Sequence, residues 1–185
     1  MAAPDASNVI VPGKGAIFIA EPGATPPDYK TITPLTPTDG WVCLGHTSVE
    51  NNVELSKDGG DSTSYDSWWE PGIEVMYAST TWTLTVGALE VTKANFDLAF
   101  NGEAEEATTN GGYLVPSAIQ ATKKAVFVIA VQGEKRLGLY LPQVSISLGD
   151  APTFDNESLF EIPLSGSILS YEGNVMEWFH KSLDK

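Results

Sequence analysis

The chain has 185 residues, enough for one domain with a substantial core, and 42% of them are apolar, which is a globular and not a disordered composition. Its formal net charge of -14 and isoelectric point near 4.3 argue against a DNA-binding surface, which needs lysine and arginine against phosphate, and suit either simple solubility or a surface that must not hold DNA. The single cysteine, Cys43, excludes an intrachain disulfide, and no apolar run is long enough to span a bilayer.

Residues 1–13 have neither a basic start nor an apolar stretch of signal-peptide length. They read as an extended arm on a chain made and kept in a cytoplasm. Ala16–Ala20 is a first apolar strand, closed by Glu21, Pro22 and Gly23. Five prolines follow between positions 21 and 40 and predict a stiff surface loop. Trp41–His46 predicts a strand that continues, with a kink at Gly45, into Val49–Leu55. In the latter, Val49, Val53 and Leu55 point one way and Glu50, Asn52 and Glu54 the other, the period of a half-buried strand. Cys43, between Val42 and Leu44, reads as a small buried apolar residue.

Residues 57–72 read as a long loop opened by Asp58, Gly59, Gly60 and Asp61 and carrying Tyr65, Trp68 and Trp69. Its aspartates lack the spacing of a calcium-binding EF-hand, so a flexible hydrated loop is expected. Ile73, Val75 and Tyr77 are apolar at odd positions, whereas Trp82, Leu84 and Val86 are apolar at even ones. That change of phase near Ser79 implies a bulge or break, and Gly87 is a second bulge candidate. Thr81, Thr83 and Thr85 form the polar side of the second strand.

Thr92 is a good N-cap for a helix from Lys93 to about Phe100, with Val91 and Phe96 at the positions of a hydrophobic staple. Phe96, Ala99 and Phe100 are its expected buried face, and Asn101-Gly102 its stop. Residues 103–112 read as an exposed acidic loop. Ala125–Val131 is a continuous apolar strand with a hairpin partner at Leu137, Leu139 and Leu141. Val144, Ile146 and Leu148 make another strand, with Ser145 and Ser147 opposite, and Phe160, Ile162 and Leu164 the last clear one. Val175–His180 fits a docked strand or one helical turn. The sum is a mainly β domain of about eight strands and one short helix, either two packed sheets or a barrel.

Nothing in the chain announces catalysis, a metal or a cofactor. His46 and His180 are the only histidines and have no metal-ligand spacing. There is no nucleophile elbow or phosphate-cradling glycine loop. Trp68 and Trp69, if in a strand, face opposite ways; they fit an interface anchor, core or rim aromatics, or a sugar-stacking platform.

The order of elements resembles the major tail tube protein of long-tailed, non-contractile bacteriophages. The resemblance is carried by Gly40–Ser48, the long loop at 57–72, Thr80–Val86 and the strand-to-helix passage Leu89–Phe96. It covers nearly the whole chain and leaves no room for the C-terminal immunoglobulin-like domain that some members add. It implies a virion structural protein, without cofactor, whose six-fold rings stack into a tube that conducts DNA during ejection without binding it specifically. Tape measure, tail tip and tail terminator proteins are the implied partners, with no membrane involved. On this reading one domain spans 1–185, with 1–13 an arm, 57–72 an assembly loop and 171–185 a tail. Asp58, Gly59, Gly60, Asp61, Tyr65, Trp68 and Trp69 are then assembly residues. Glu50, Asn52, Glu54, Thr81, Thr83 and Thr85 line the bore, and Trp178 and Phe179 dock on the next ring. The competing readings are a carbohydrate-binding β-sandwich using Tyr65, Trp68 or Trp69, and another virion protein such as a terminator or decoration protein.

Overall fold

The apolar run Ala16–Ala20 lies in strand β1 (Lys14–Ala20), which is buried on both faces. The computed structural model describes residues 4–101 and 112–183. The other strands are β2 (Val42–Cys43), β3 (Glu54–Gly59), β4 (Ser62–Tyr65), β5 (Glu74–Tyr77), β6 (Thr80–Ala88), β7 (Thr122–Gln132), β8 (Lys135–Leu148), β9 (Ile162–Ile168) and β10 (Glu177–Phe179), with helix α1 (Lys93–Phe100) between β6 and β7. Eight strands form one antiparallel sheet in the order β2-β1-β7-β8-β9-β6-β3, with β10 added to β8; β4 and β5 pair separately.

The sheet divides into two halves that share β7 and β8. The register of β7 on β8 shifts between Lys124 and Val126, so Pro142 and Gln143 oppose Ala125 in a bulge. Pro142 has no N–H for the ladder, and it sits where β8 changes neighbour from β10 to β9. The two strands expected at Leu137–Leu141 and Val144–Leu148 are therefore one long strand serving both halves.

Two cores result. Between the halves, Ile17, Val126 and Leu139 belong to one cluster with Leu84, Val86, Ile146 and Leu164, closed by Leu98 and Ala99 of α1. On the other face of the β1–β7–β8 half, Phe18, Phe127, Ile129 and Tyr140 are covered by Tyr29, Ile32 and Trp41. The proline-rich loop is thus no mere surface connection. Trp41 Nε1 donates to Thr25 O at 3.0 Å, and Arg136 donates to Ile32 O at 2.8 Å. Burying a large apolar side chain contributes roughly 1.5–3 kcal/mol, and three such side chains anchor this loop.

Several local expectations shift for identifiable reasons. The strand expected at Trp41–His46 shrinks to Val42–Cys43, and Cys43 is half-buried. Val49 is 84% exposed, because Ser48 Oγ accepts the N–H groups of Glu50 and Asn51 and turns the chain before β3 begins. The break near Ser79 separates β5 from β6. Gly87, by contrast, lies in unbroken register with Pro163. A Cβ there would come within 2.8 Å of Glu161 Oε2 and 3.1 Å of the Ser48 Cβ, so close approach and not a bulge needs the glycine.

Thr92 caps α1, accepting from Asn95 N at 3.3 Å, and Asn101 ends it at φ 78°; Gly102 and residues 103–111 lie outside the described residues. The buried face is Asn95, Leu98 and Ala99, one position off the expected one. Asn95 sets this rotation by donating from Nδ2 to Leu44 O (3.2 Å) and Glu90 O (2.8 Å). Phe96 and Phe100 pack half-buried with Tyr113, while Val91 is exposed and forms no staple.

Candidate assembly surfaces

The β3–β6–β9–β8 half of the sheet has one apolar and one polar face. Leu84, Val86, Leu164, Ile168, Val144 and Ile146 all point into the core. Their neighbours along the strands point the other way and fall into rows. Glu54 pairs with Thr85, Thr85 with Ser165, and Ser165 with Ser147. The next row runs from Ser56 through Thr83, Ser167 and Ser145 to Lys123. Asp58 and Thr81 begin a third. None of these side chains is buried, and α1 contributes to the opposite, apolar side.

Four of the residues expected on a water-facing strand surface, Glu54, Thr81, Thr83 and Thr85, share this face. Glu50 and Asn52 are not on the strand. They lie in the turn before it and border a groove of about 440 Å³ that Glu54, Thr85, Asp150 and Glu161 also line. Glu161 Oε2 accepts from Asn51 Nδ2 at 2.6 Å and ties the turn to the end of β9. The serines of β8 and β9 and the carboxylates of Asp150 and Glu161 complete the surface. The alternation of Ser145 and Ser147 is legible in sequence; their neighbours across the sheet require the strand order.

The segment 57–72 is a ribbon and not a flexible loop. β3 and β6 pair as far as Gly59 and Thr80, and Ala78 N donates to Asp61 O at 2.9 Å. β4 and β5 then carry the ribbon on from Ser62–Tyr77 to Tyr65–Glu74. Gly59 and Gly60, at φ 76° and 80°, make the kink between the two parts. At the tip, Asp66 Oδ1 accepts Gly72 N at 2.7 Å, and Ser67 Oγ accepts Glu70 N at 2.8 Å. Asp58 Oδ1 accepts its neighbour Gly59 N. Trp68 and Trp69 sit in that tip turn, not in a strand, and both are fully exposed. Tyr65, Ile73, Met76 and Tyr77 are exposed with them. A two-stranded ribbon with this much exposed apolar surface is marginal alone.

Both ends of the described chain dock on its own sheet. Val175–His180 resolves as strand β10, pairing Glu177, Trp178 and Phe179 with Tyr140, Leu139 and Gly138. Phe179 stacks 5.9 Å from Tyr29 and lies 6.0 Å from Phe127, so its ring belongs to its own core; Trp178 stays 44% exposed. Gly138 is needed there, since a Cβ would come within 2.9 Å of Phe127 and 3.2 Å of Phe179. The N-terminal arm bonds the β7–β8 hairpin through Val11 N to Gln132 Oε1 (2.8 Å) and Lys135 Nζ to the carbonyls of Ala6 and Val9. Its described residues include one turn of 3-10 helix at Ala6–Asn8, flanked by extended backbone at Asp5 and Val9.

Titration adds little chemistry. Burial pushes the Tyr113 hydroxyl up to about 12, reinforced by its hydrogen bond to Asp97 (3.0 Å) and that carboxylate's charge. Among the described residues, no three His, Cys, Asp or Glu side chains gather as metal ligands, and no helix is long and apolar enough to cross a membrane.

The profile of the phage tail tube protein family matches residues 2–185. The chain is 26% identical to "Major tail protein Gp23" of Mycobacterium phage D29, over 95% of this chain and 92% of that protein. It is 25% identical to the protein of the same name in Mycobacterium phage L5, with the same coverage.

Proposed function

The chain belongs to the phage tail tube protein family and is a structural component of the virion tail, not an enzyme, and from that premise we propose that it forms closed rings, six-fold as in the family it resembles, whose stacked bores conduct DNA. The observation that carries this reading is the uncovered polar face of β3, β6, β9 and β8. A sheet with one apolar face buried must turn its other face to water. In a stack of rings the water beside an inner barrel is the bore. Hydroxyls with interspersed carboxylates offer phosphate no cation to hold it, apart from Lys123 at one edge.

In this reading Glu54, Thr81, Thr83 and Thr85 line the bore, with Glu50 and Asn52 at its rim. The ribbon at 57–72, led by Tyr65, Trp68 and Trp69 and kinked at Asp58–Asp61, reaches a neighbouring copy. Trp178, the exposed member of the tail pair, contacts the next ring, while the arm at 1–13 and the tail at 171–185 flank it. Stacking head to tail does not close, so it yields a filament. Tape measure, tail tip and terminator proteins would fill its inside and ends. Negative-stain microscopy of the purified protein, with and without tail-tip complexes as initiators, tests this: rings or tubes support it, and monomers at all concentrations and salts in both conditions contradict it.

A further inference from the structure

The polar half-sheet ends in two unpaired edges. β3 pairs only with β6 among the described residues. At the other end, β7 pairs with β8 from Thr122 onwards, but with β1 only from Ala125. Among the described residues, the outer side of Thr122–Lys124 therefore has no strand beside it. It borders an open cleft of about 350 Å³ lined by Ile19, Val42, Leu44 and Leu98.

The charges at the two edges are opposite. Lys123 is the one cation in the polar rows and is exposed at the β7 end. Glu54 and Asp58 are exposed at the β3 end, flanking Ser56. Lys123 and Ser56 begin and end the same row, so continuing that row into a second copy sets the ammonium between the two carboxylates. A direct neighbour across a strand pair lies about 5 Å away and a diagonal one about 7–8 Å, both within reach of a lysine.

Resting on the ring reading above, we propose that rings close by pairing the Thr122–Lys124 edge of one copy with the β3 edge of the next, and that Lys123 clips onto Glu54 and Asp58 across the seam. Strand directions alternate from β3 to β7, so these two edges run the same way. Rotation about a ring axis preserves that sense, and the seam is a parallel pair. Parallel pairing is slightly weaker per residue, and the free edge of β7 is short, so the backbone alone holds the register poorly. The lysine supplies the missing specificity: a copy shifted by two residues would leave its ammonium only one of the two carboxylates, Glu54 or Asp58, within reach.

The test is charge reversal in the full chain, with assembly followed by sedimentation and microscopy and folding by thermal melt. Lys123→Glu should leave the melt unchanged and raise the critical concentration for tubes by roughly tenfold or more, because like charges then meet at the seam. Adding Glu54→Lys and Asp58→Lys should restore assembly. Tubes from Lys123→Glu at the unmodified concentration, or no rescue by the reversed set, would overturn the seam and leave the tube reading standing. Absence of tubes from the unmodified chain, with initiators present, would remove both. Should Lys123→Glu fail to fold, Lys123→Gln replaces it: its critical concentration must rise, and an unchanged value overturns the clip.

Discussion

Thr85 and Ser165 face each other across β6 and β9, between Glu54 on one side and Ser147 on the other. Four strands thus present a row of small polar side chains with no charge at its centre. Directly beneath lie Leu84, Val86, Leu164 and Ile146, all buried. One alternation produces both a buried apolar core and an unburied polar face.

That surface should tolerate lysine structurally and resent it functionally. Thr83→Lys with Ser147→Lys places two new cations on separated strands. Each substitution should change stability by no more than about 1 kcal/mol, the span of β-propensity effects. Phage carrying the pair should have tails of normal length but slower DNA ejection, measured in vitro after receptor triggering, since each copy adds attraction for phosphate. Ejection at the unmodified rate would count against this face lining the bore.

In the proposed tube the ribbon tip carries adhesion and no fold. Trp68 and Trp69 have no place in either core cluster. Trp68→Ala with Trp69→Ala should leave the monomer melt within about 0.5 kcal/mol of the unmodified chain, as for surface positions generally. Tube formation should be lost, because a central aromatic anchor typically contributes about 2 kcal/mol or more to an interface. Normal tubes from this variant would show that the ribbon serves something else.

Trp178 and Phe179 should separate cleanly. Phe179→Ala empties a place between Tyr29 and Phe127 and should lower stability by on the order of 3 kcal/mol, near the low end for buried phenylalanine because this one is half-buried. Trp178→Ala should spare the melt and weaken tube formation. A variant pair with the opposite pattern would reverse their assignment.

Tyr113 gives a pH signature for the contact with α1. Its folded value, up to about 12, lies above the ordinary 10 of an unfolded tyrosine. The protonated hydroxyl is the form the fold prefers, so its contribution is complete below about pH 10 and lost as pH rises through about 12. Ultraviolet titration should show one tyrosine ionising late, and Tyr113→Phe should remove that late step. A late step that survives the substitution would assign it elsewhere.

Legibility followed the range of the interactions involved. α1 was readable because its caps, Thr92 and Asn101, act within a few residues. Its rotation was not, because Asn95 is held by Leu44 O, 51 residues away. The threonines of β6 announced a polar face by simple alternation, but their partners Ser165 and Ser167 emerge only from the strand order. β3 was misplaced because Lys57 and Asp58 lack strand character by themselves; pairing with Trp82 and Thr81 makes the strand. The ribbon looked like a loop for the same reason. Tyr29 and Ile32 were hidden by the prolines around them, although they cover Phe18 and Phe127.

The most direct measurement is an electron cryomicroscopy reconstruction of the assembled tube. It should show Thr83, Thr85, Ser147 and Ser165 facing the bore from a closed barrel, with α1 on its outer side. A reconstruction placing those four side chains on the tube's exterior, or burying them between stacked rings, would contradict the account.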